Sequence, residues 1–220
     1  MRDEIKEGSV KITKFVHACL LVEMSDRTAV FDPGTMSEAA LDVSKLEWLD
    51  DIFITHNHGD HLSIPLVKQM VEKFPKVRIT APAEVVEHLK AQDIQAQTEA
   101  PEGVAFFDSP HEPIKPYIDA EPPQEIGVHY LDMLSHPGDS HSFHETKAIL
   151  ALPVQAPWGS TVNAVRLALE LKPKFILPIH DWHWSDAARA QTYDHLEEVF
   201  KQAGMTFYKM QTGVPITIDI

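Results

Sequence analysis

The sequence predicts one α+β domain with helices lying outside two packed sheets, and three observations carry that prediction. Short strand-like runs dominate both halves of the 220-residue chain, each half also contributes stretches of helical spacing, and no linker-like or low-complexity segment divides them. The length suits one large domain or two small ones and is enough for a sizeable core. Without a dividing linker, residues 1–220 are read as a single domain.

Val10 to Phe15 alternates apolar and polar residues, and Cys19 to Val22 and Thr28 to Phe31 follow as short apolar runs. The third run stops at Asp32-Pro33-Gly34, a strong turn signal. Ile52-Phe53-Ile54 reads as a buried strand. A helix follows, with Ile64, Leu66, Val67, Met70, Val71 and Phe74 on one face, Ser63 as N-cap and Pro65 early enough to be tolerated. Val77 to Thr80 predicts a strand, Pro82 to Lys90 a helix, and Gly103 to Asp108 a further strand. From Ser109 to Gly127 all periodicity breaks, and five prolines fall in this stretch. Such a segment is either a functional ordered loop or a stiff surface connection. Strands are then expected at Val128 to Leu134, Ala148 to Leu152, Phe175 to Leu177 and Ile216 to Ile218. Helices are expected at Ser160 to Leu171 and from Ser185 to about Ala203, with Gly204 as the stop.

The formal net charge is −14. An acidic surface repels phosphate backbones, so nucleic acid is an unfavoured partner, although bound cations would reverse the sign locally. A single cysteine, Cys19, excludes an internal disulfide and fits a reducing compartment. The polar opening Met1 to Glu7 lacks the apolar region of a secretory signal, and no run reaches the ~20 apolar residues a bilayer requires. These features predict a cytoplasmic protein with no membrane partner.

Thirteen histidines stand out, and their positions are informative. Thr55-His56-Asn57-His58-Gly59-Asp60-His61 lies between a predicted buried strand and a predicted helix. His56 and His58 are two apart, so in extended chain they project to one side. Asp60 and His61 are adjacent and diverge, which suits a second ion, and Gly59 is expected to let the backbone turn tightly. Three imidazoles and a carboxylate crowded at the mouth of a strand point to metal binding.

The motif resembles the H-x-H-x-D-H hallmark of the metallo-β-lactamase-fold superfamily, and the resemblance extends over most of the chain. Asp32-Pro33-Gly34 is similar to that family's earlier turn, Gly138-Asp139-Ser140 to its later Gly-Asp element, and Pro178-Ile179-His180 to its final histidine. His17-Ala18-Cys19-Leu20 and Leu152-Pro153-Val154 resemble the branch containing L-ascorbate-6-phosphate lactonase and N-acyl-phosphatidylethanolamine phospholipase D. The resemblance implies a four-layer αββα sandwich and two divalent ions, zinc by default and manganese as the alternative. It implies that His56 and His58 bind the first ion, that Asp60, His61 and His180 bind the second, and that Asp139 bridges. The first ion's third histidine is His111 or His136, and His111 is preferred because its distance before Asp139 is typical of the family.

That resemblance implies a metal-dependent hydrolase acting on an ester, lactone, amide or phosphodiester bond of a small molecule, with Asp60 and Asp139 positioning the attacking water. His183, flanked by Trp182 and Trp184, is a candidate for contacting substrate or protonating a leaving group. His17 is either near the site or structural, and His141, His144 and Trp158 are candidates for its mouth. His88, His129 and His195 are expected to be structural or exposed. The competing readings are a di-iron redox protein on the same fold, a metal-binding module without turnover, and a nuclease. Members with di-iron centres typically carry a carboxylate where His58 stands. Substrate identity and oligomeric state are not written in the sequence, and a homo-oligomer stays open.

Overall fold

A computed structural model describes residues 5–220. Of the polar opening that argues against a secretory signal, residues 1–4 lie outside the described residues. In chain order the elements are β1 (Ser9–Lys14), β2 (Leu20–Glu23), β3 (Thr28–Phe31), β4 (Asp51–Phe53), α1 (Ile64–Lys73), β5 (Arg78–Thr80), α2 (Ala83–Lys90) and β6 (Val104–Phe107). They continue as β7 (Gly127–Tyr130), β8 (Leu134–His136), β9 (Ile149–Pro153), α3 (Thr161–Leu171), β10 (Phe175–Ile179), α4 (Asp186–Gln202), β11 (Thr206–Phe207) and β12 (Pro215–Asp219). Two compact units result, one comprising Met1–Glu99 with Gln211–Ile220, the other Ala100–Met210.

The first unit holds a six-stranded sheet in the order β12-β1-β2-β3-β4-β5. Strands β12, β1, β2 and β3 pair antiparallel, and β3, β4 and β5 pair parallel. Leu21, Val30, Ile52 and Ile79 from the sheet pack with Leu66, Val67 and Met70 of α1 and Val85 and Leu89 of α2. The alternate residues Leu20, Val22, Ala29, Phe31 and Phe53 are buried as well. Burial of both faces is why these strands read as continuous apolar runs instead of alternating. As expected, the Ser63 hydroxyl caps α1, accepting from Leu66 N–H at 3.1 Å.

The second unit holds the sheet β11-β10-β9-β8-β7-β6. Its strands β6, β7 and β8 pair antiparallel, and β8 to β11 pair parallel, with α3 and α4 as crossovers. Leu150, Leu152 and Ile176 pack with Ala164, Leu167 and Ala168 of α3 and Tyr193, Leu196 and Phe200 of α4. Ser160 and Ser185 cap the two helices by accepting from Asn163 and Ala188 N–H. Gly204, with φ +78, terminates α4 in the left-handed region.

Two expectations are corrected. The apolar run Val128 to Leu134 is not one strand but the hairpin β7–β8, turned at Leu131 and Asp132, whose φ values are 49° and 53°. An apolar leucine inside the turn conceals it from periodicity. The two-residue β11 is too short for a periodicity to exist and forms only by pairing with β10. Among the described residues no helix is long and apolar enough to cross a membrane.

Candidate metal centre

In each unit the histidine-bearing loops follow the carboxyl ends of strands. In the first unit, Asp32 ends β3 with φ 43° and is fully buried. Its Oδ1 accepts from Thr55 N–H at 2.8 Å, and its Oδ2 accepts from Thr55 Oγ1 at 2.9 Å and from His61 Nδ1 at 2.7 Å. The Thr55 hydroxyl proton is thereby spent on Asp32, so Thr55 Oγ1 accepts from His56 Nδ1 at 3.0 Å. A neutral imidazole carries one proton, so both rings have Nδ1 protonated and present an Nε2 lone pair. One carboxylate thus sets the tautomer of two histidines, the usual role of groups behind metal ligands.

Those lone pairs point at further ligand atoms. His61 Nε2 lies 3.2 Å from His17 Nε2, and His17 Nε2 lies 3.1 Å from Asp60 Oδ2. His56 Nε2 lies 3.1 Å from His58 Nδ1. His17 is buried and held at φ 66°, a conformation that costs a non-glycine residue about 1–2 kcal/mol and concentrates at functional sites. The tight turn is enabled elsewhere than predicted. Gly59 shows no positive φ and has open space, whereas a Cβ on Gly34 would lie 1.7 Å from the Asp60 carbonyl oxygen. Gly34 is therefore the residue that admits the motif loop.

The second unit repeats the logic. His180 Nδ1 donates to the Gln155 carbonyl and His111 Nδ1 to the Glu112 carbonyl, each at 2.7 Å. Carbonyls only accept, so both rings again present Nε2 lone pairs. His180 Nε2 lies 3.1 Å from each Asp139 oxygen, and His111 Nε2 lies 3.7 Å from Asp139 Oδ2. Asp139 therefore stands between two histidines. His180 also has positive φ, 64°. The proline-rich segment serves this residue: Glu125 accepts from Asp139 N–H at 2.9 Å, and Glu112 N–H donates to the Asp139 carbonyl at 2.9 Å.

The donor set fits metal ions. The His180 Nε2 lone pair facing the Asp139 carboxylate at 3.1 Å is two acceptors opposed, an arrangement that a shared cation or proton makes favourable. Two groups of side chains could hold a metal, His17, Asp60, His61 and His180 in one and His56, His58, His111 and Asp139 in the other, and nitrogen–oxygen ligation of this kind suits zinc, manganese or iron.

Among the histidines weighed from sequence, His111 takes the ligand-like place beside Asp139. His136 is buried in β8, and its Nδ1 accepts from Gly138 N–H at 3.4 Å. His17 sits with Asp60 and His61. His183 is exposed, its ring tilted against Trp182 with centroids 4.0 Å apart and stacked with His180 at 6.4 Å. His129 packs on Phe107 with its pKa lowered chiefly by burial, and His144 and His195 are exposed. His88 Nδ1 pairs with Asn57 Oδ1 at 2.7 Å. Cys19 is buried one residue ahead of β2. Sequence reasoning missed the orienting role of Asp32, which it took as a turn marker. The available signal was an acidic residue ending a buried strand.

Residues 11–180 match the family described as the Beta-lactamase superfamily domain. The protein Rv0786c of Mycobacterium tuberculosis is 29% identical over 203 residues, covering 86% of this chain and 92% of that one. The fold is shared with Igni18, a metallo hydrolase from the archaeon Ignicoccus hospitalis, at TM-score 0.73 and 18% identity, covering 96% of this chain and 99% of the other. It is also shared with CmlA, a diiron β-hydroxylase from Streptomyces venezuelae, at TM-score 0.62 and 12% identity, over 98% of this chain and 55% of the other. The architecture is accordingly the α+β metallo-β-lactamase fold, with two mixed sheets and, among the described residues, four helices.

Proposed function

Because the chain belongs to the beta-lactamase superfamily, we propose that it is a hydrolase working with two divalent metal ions. The observation that carries this reading is the fixed presentation of Nε2 lone pairs by His56, His61, His111 and His180 toward further ligand atoms. In this reading His56, His58 and His111 hold one ion, Asp60, His61 and His180 hold the other with His17 beside them, and Asp139 is shared. The ions would supply Lewis acidity, lowering the pKa of water to near ~7 and polarising the substrate's carbonyl or phosphoryl oxygen.

The chain's own residues have separable tasks. Asp139 is buried and Asp60 is half-exposed, so Asp60 is the carboxylate placed to orient a water entering from solvent and to accept its proton. His183, exposed three residues after His180, is placed to protonate a leaving group. No serine or cysteine nucleophile is required, and buried Cys19 is unsuited to be one.

The substrate is proposed to be a small molecule with an ester, lactone, amide or phosphodiester bond. Likeness of His17 to Leu20 and of Leu152 to Val154 to the branch containing the lactonase and the phospholipase D supports a lactone or a phosphodiester, and does not choose between them. Zinc is the expected metal and manganese the alternative. The net charge of −14 counts against a nuclease, and the lack of disulfide-forming cysteine pairs supports a cytoplasmic setting. The di-iron redox reading shares its fold with CmlA, but His58 is an imidazole where di-iron members of the family typically carry a carboxylate. The test is elemental analysis of purified protein, followed by a panel of ester, lactone, amide and phosphodiester substrates with oxygen uptake measured in parallel. Two ions per chain with hydrolysis and no oxygen uptake is the expected result. Activity restricted to iron and coupled to oxygen consumption would overturn it.

A further inference from the structure

Trp158 lies in the loop after β9, and its indole is held from three sides within the second unit. Its Nε1–H donates to Asp139 Oδ2 at 3.2 Å. Its ring meets His180 edge-on with centroids 5.3 Å apart, and meets His141 edge-on at 5.1 Å. His141 is itself pinned: its Nε2 donates to the Pro153 carbonyl at 2.7 Å, and its backbone N–H donates to Glu112 Oε1 at 3.0 Å. Gly159 must lack a side chain here, because a Cβ would come within 2.9 Å of the His141 ring. Glu112 closes the circuit through its N–H to the Asp139 carbonyl at 2.9 Å.

We propose that Trp158 is a positioning residue that holds Asp139 in its metal-bridging orientation. This rests on the proposed dinuclear centre. A carboxylate shared between two ions would need a fixed orientation about its Cβ–Cγ bond to offer a lone pair to both. The indole donor on Oδ2, anchored by a rigid ring, distinguishes that oxygen from Oδ1 and opposes the rotation. The indole N–H is suited to this task because it only donates and does not titrate, so the constraint persists across pH. The ring contact with His180 ties the same side chain to a second ligand, so orientation of both is set by one residue.

The experiment compares wild type with Trp158→Phe, which keeps an aromatic ring and removes the donor. Trp48→Phe, an exposed tryptophan of the other unit, serves as control. Zinc affinity is read by competition with a chromogenic chelator, apo stability by thermal melting, and emission by titration with cobalt, whose binding quenches a nearby indole. Trp158→Phe is expected to lower zinc affinity about 10-fold or more, with an apo melting temperature within about 2 °C of wild type, and to reduce the cobalt-dependent quenching to the part contributed by Trp182 and Trp184, whereas Trp48→Phe retains the wild-type quenching. Unchanged affinity in Trp158→Phe overturns the proposal while leaving the metal centre standing. An affinity loss accompanied by a comparable loss of apo stability assigns the effect to packing and also overturns it. Wild type that takes up no metal removes the centre itself, and the positioning role with it.

Discussion

Replacing Asp32 by asparagine keeps the shape of the side chain and removes its charge, which isolates what the carboxylate does. Three donors converge on it, Thr55 N–H, Thr55 Oγ1–H and His61 Nδ1–H, at 2.7–2.9 Å. An amide has one accepting end. If its oxygen faces Thr55 N–H, its NH2 faces His61 and Thr55 Oγ1. His61 must then move its proton to Nε2, and Thr55, its hydroxyl proton released from Asp32, is free to donate to His56 and permit the same change there. If the amide is reversed, its NH2 opposes Thr55 N–H in a fully buried site. Losing one charge-assisted hydrogen bond costs about 1.5–3 kcal/mol, and opposing two buried donors costs a similar amount. A protein of this size loses roughly 2–4 °C in Tm per kcal/mol, so apo Asp32→Asn should melt about 3–12 °C lower. Zinc affinity should fall about 10- to 100-fold, because the displaced protons sit on the ligating Nε2 atoms. Calorimetry and chelator competition measure the two effects. An unchanged Tm together with wild-type zinc affinity would refute the claim that Asp32 sets the tautomers.

His111→Ala should weaken metal occupancy by elemental analysis, whereas His136→Ala should leave it intact at some cost in stability; equal occupancy in His111→Ala and wild type would shift the ligand to His136. His183→Ala should retain both ions, and on any substrate found by the panel its turnover should fall; full turnover would end its proposed role as acid. Burial pushes the Cys19 thiol from near 9.0 up to about 12. Because the folded value is the raised one, the thiol's contribution to stability is present below pH 9 and lost as pH climbs toward 12. The native protein should therefore resist a disulfide reagent at pH 8 and react once unfolded, and rapid native labelling would contradict the burial.

Much was legible in the sequence because it depends on neighbours along the chain. Ser63, Ser160 and Ser185 mark helix starts through a hydroxyl that reaches three residues ahead. The buried strands declare themselves by continuous apolar runs, and His56 to His61 put four candidate ligands within one loop. The preference for His111 and the Asp139 and His180 assignments came from resemblance to a family, since no local pattern links residues so far apart.

What only the tertiary structure decided is whatever requires two distant segments to meet. The β7–β8 turn and β11 are defined by hydrogen bonds to a partner strand, which periodicity within one run cannot contain. Gly34 is needed because another loop's carbonyl lies against it, so no feature of Asp32-Pro33-Gly34 announces the reason. The tautomers of His56, His61, His111 and His180 follow from what faces each Nδ1: a hydroxyl at Thr55, a carboxylate at Asp32, or the carbonyls of Glu112 and Gln155. Sequence by itself put four candidate ligands in one loop, whereas the tertiary structure decided which nitrogen of these four rings is left to face them.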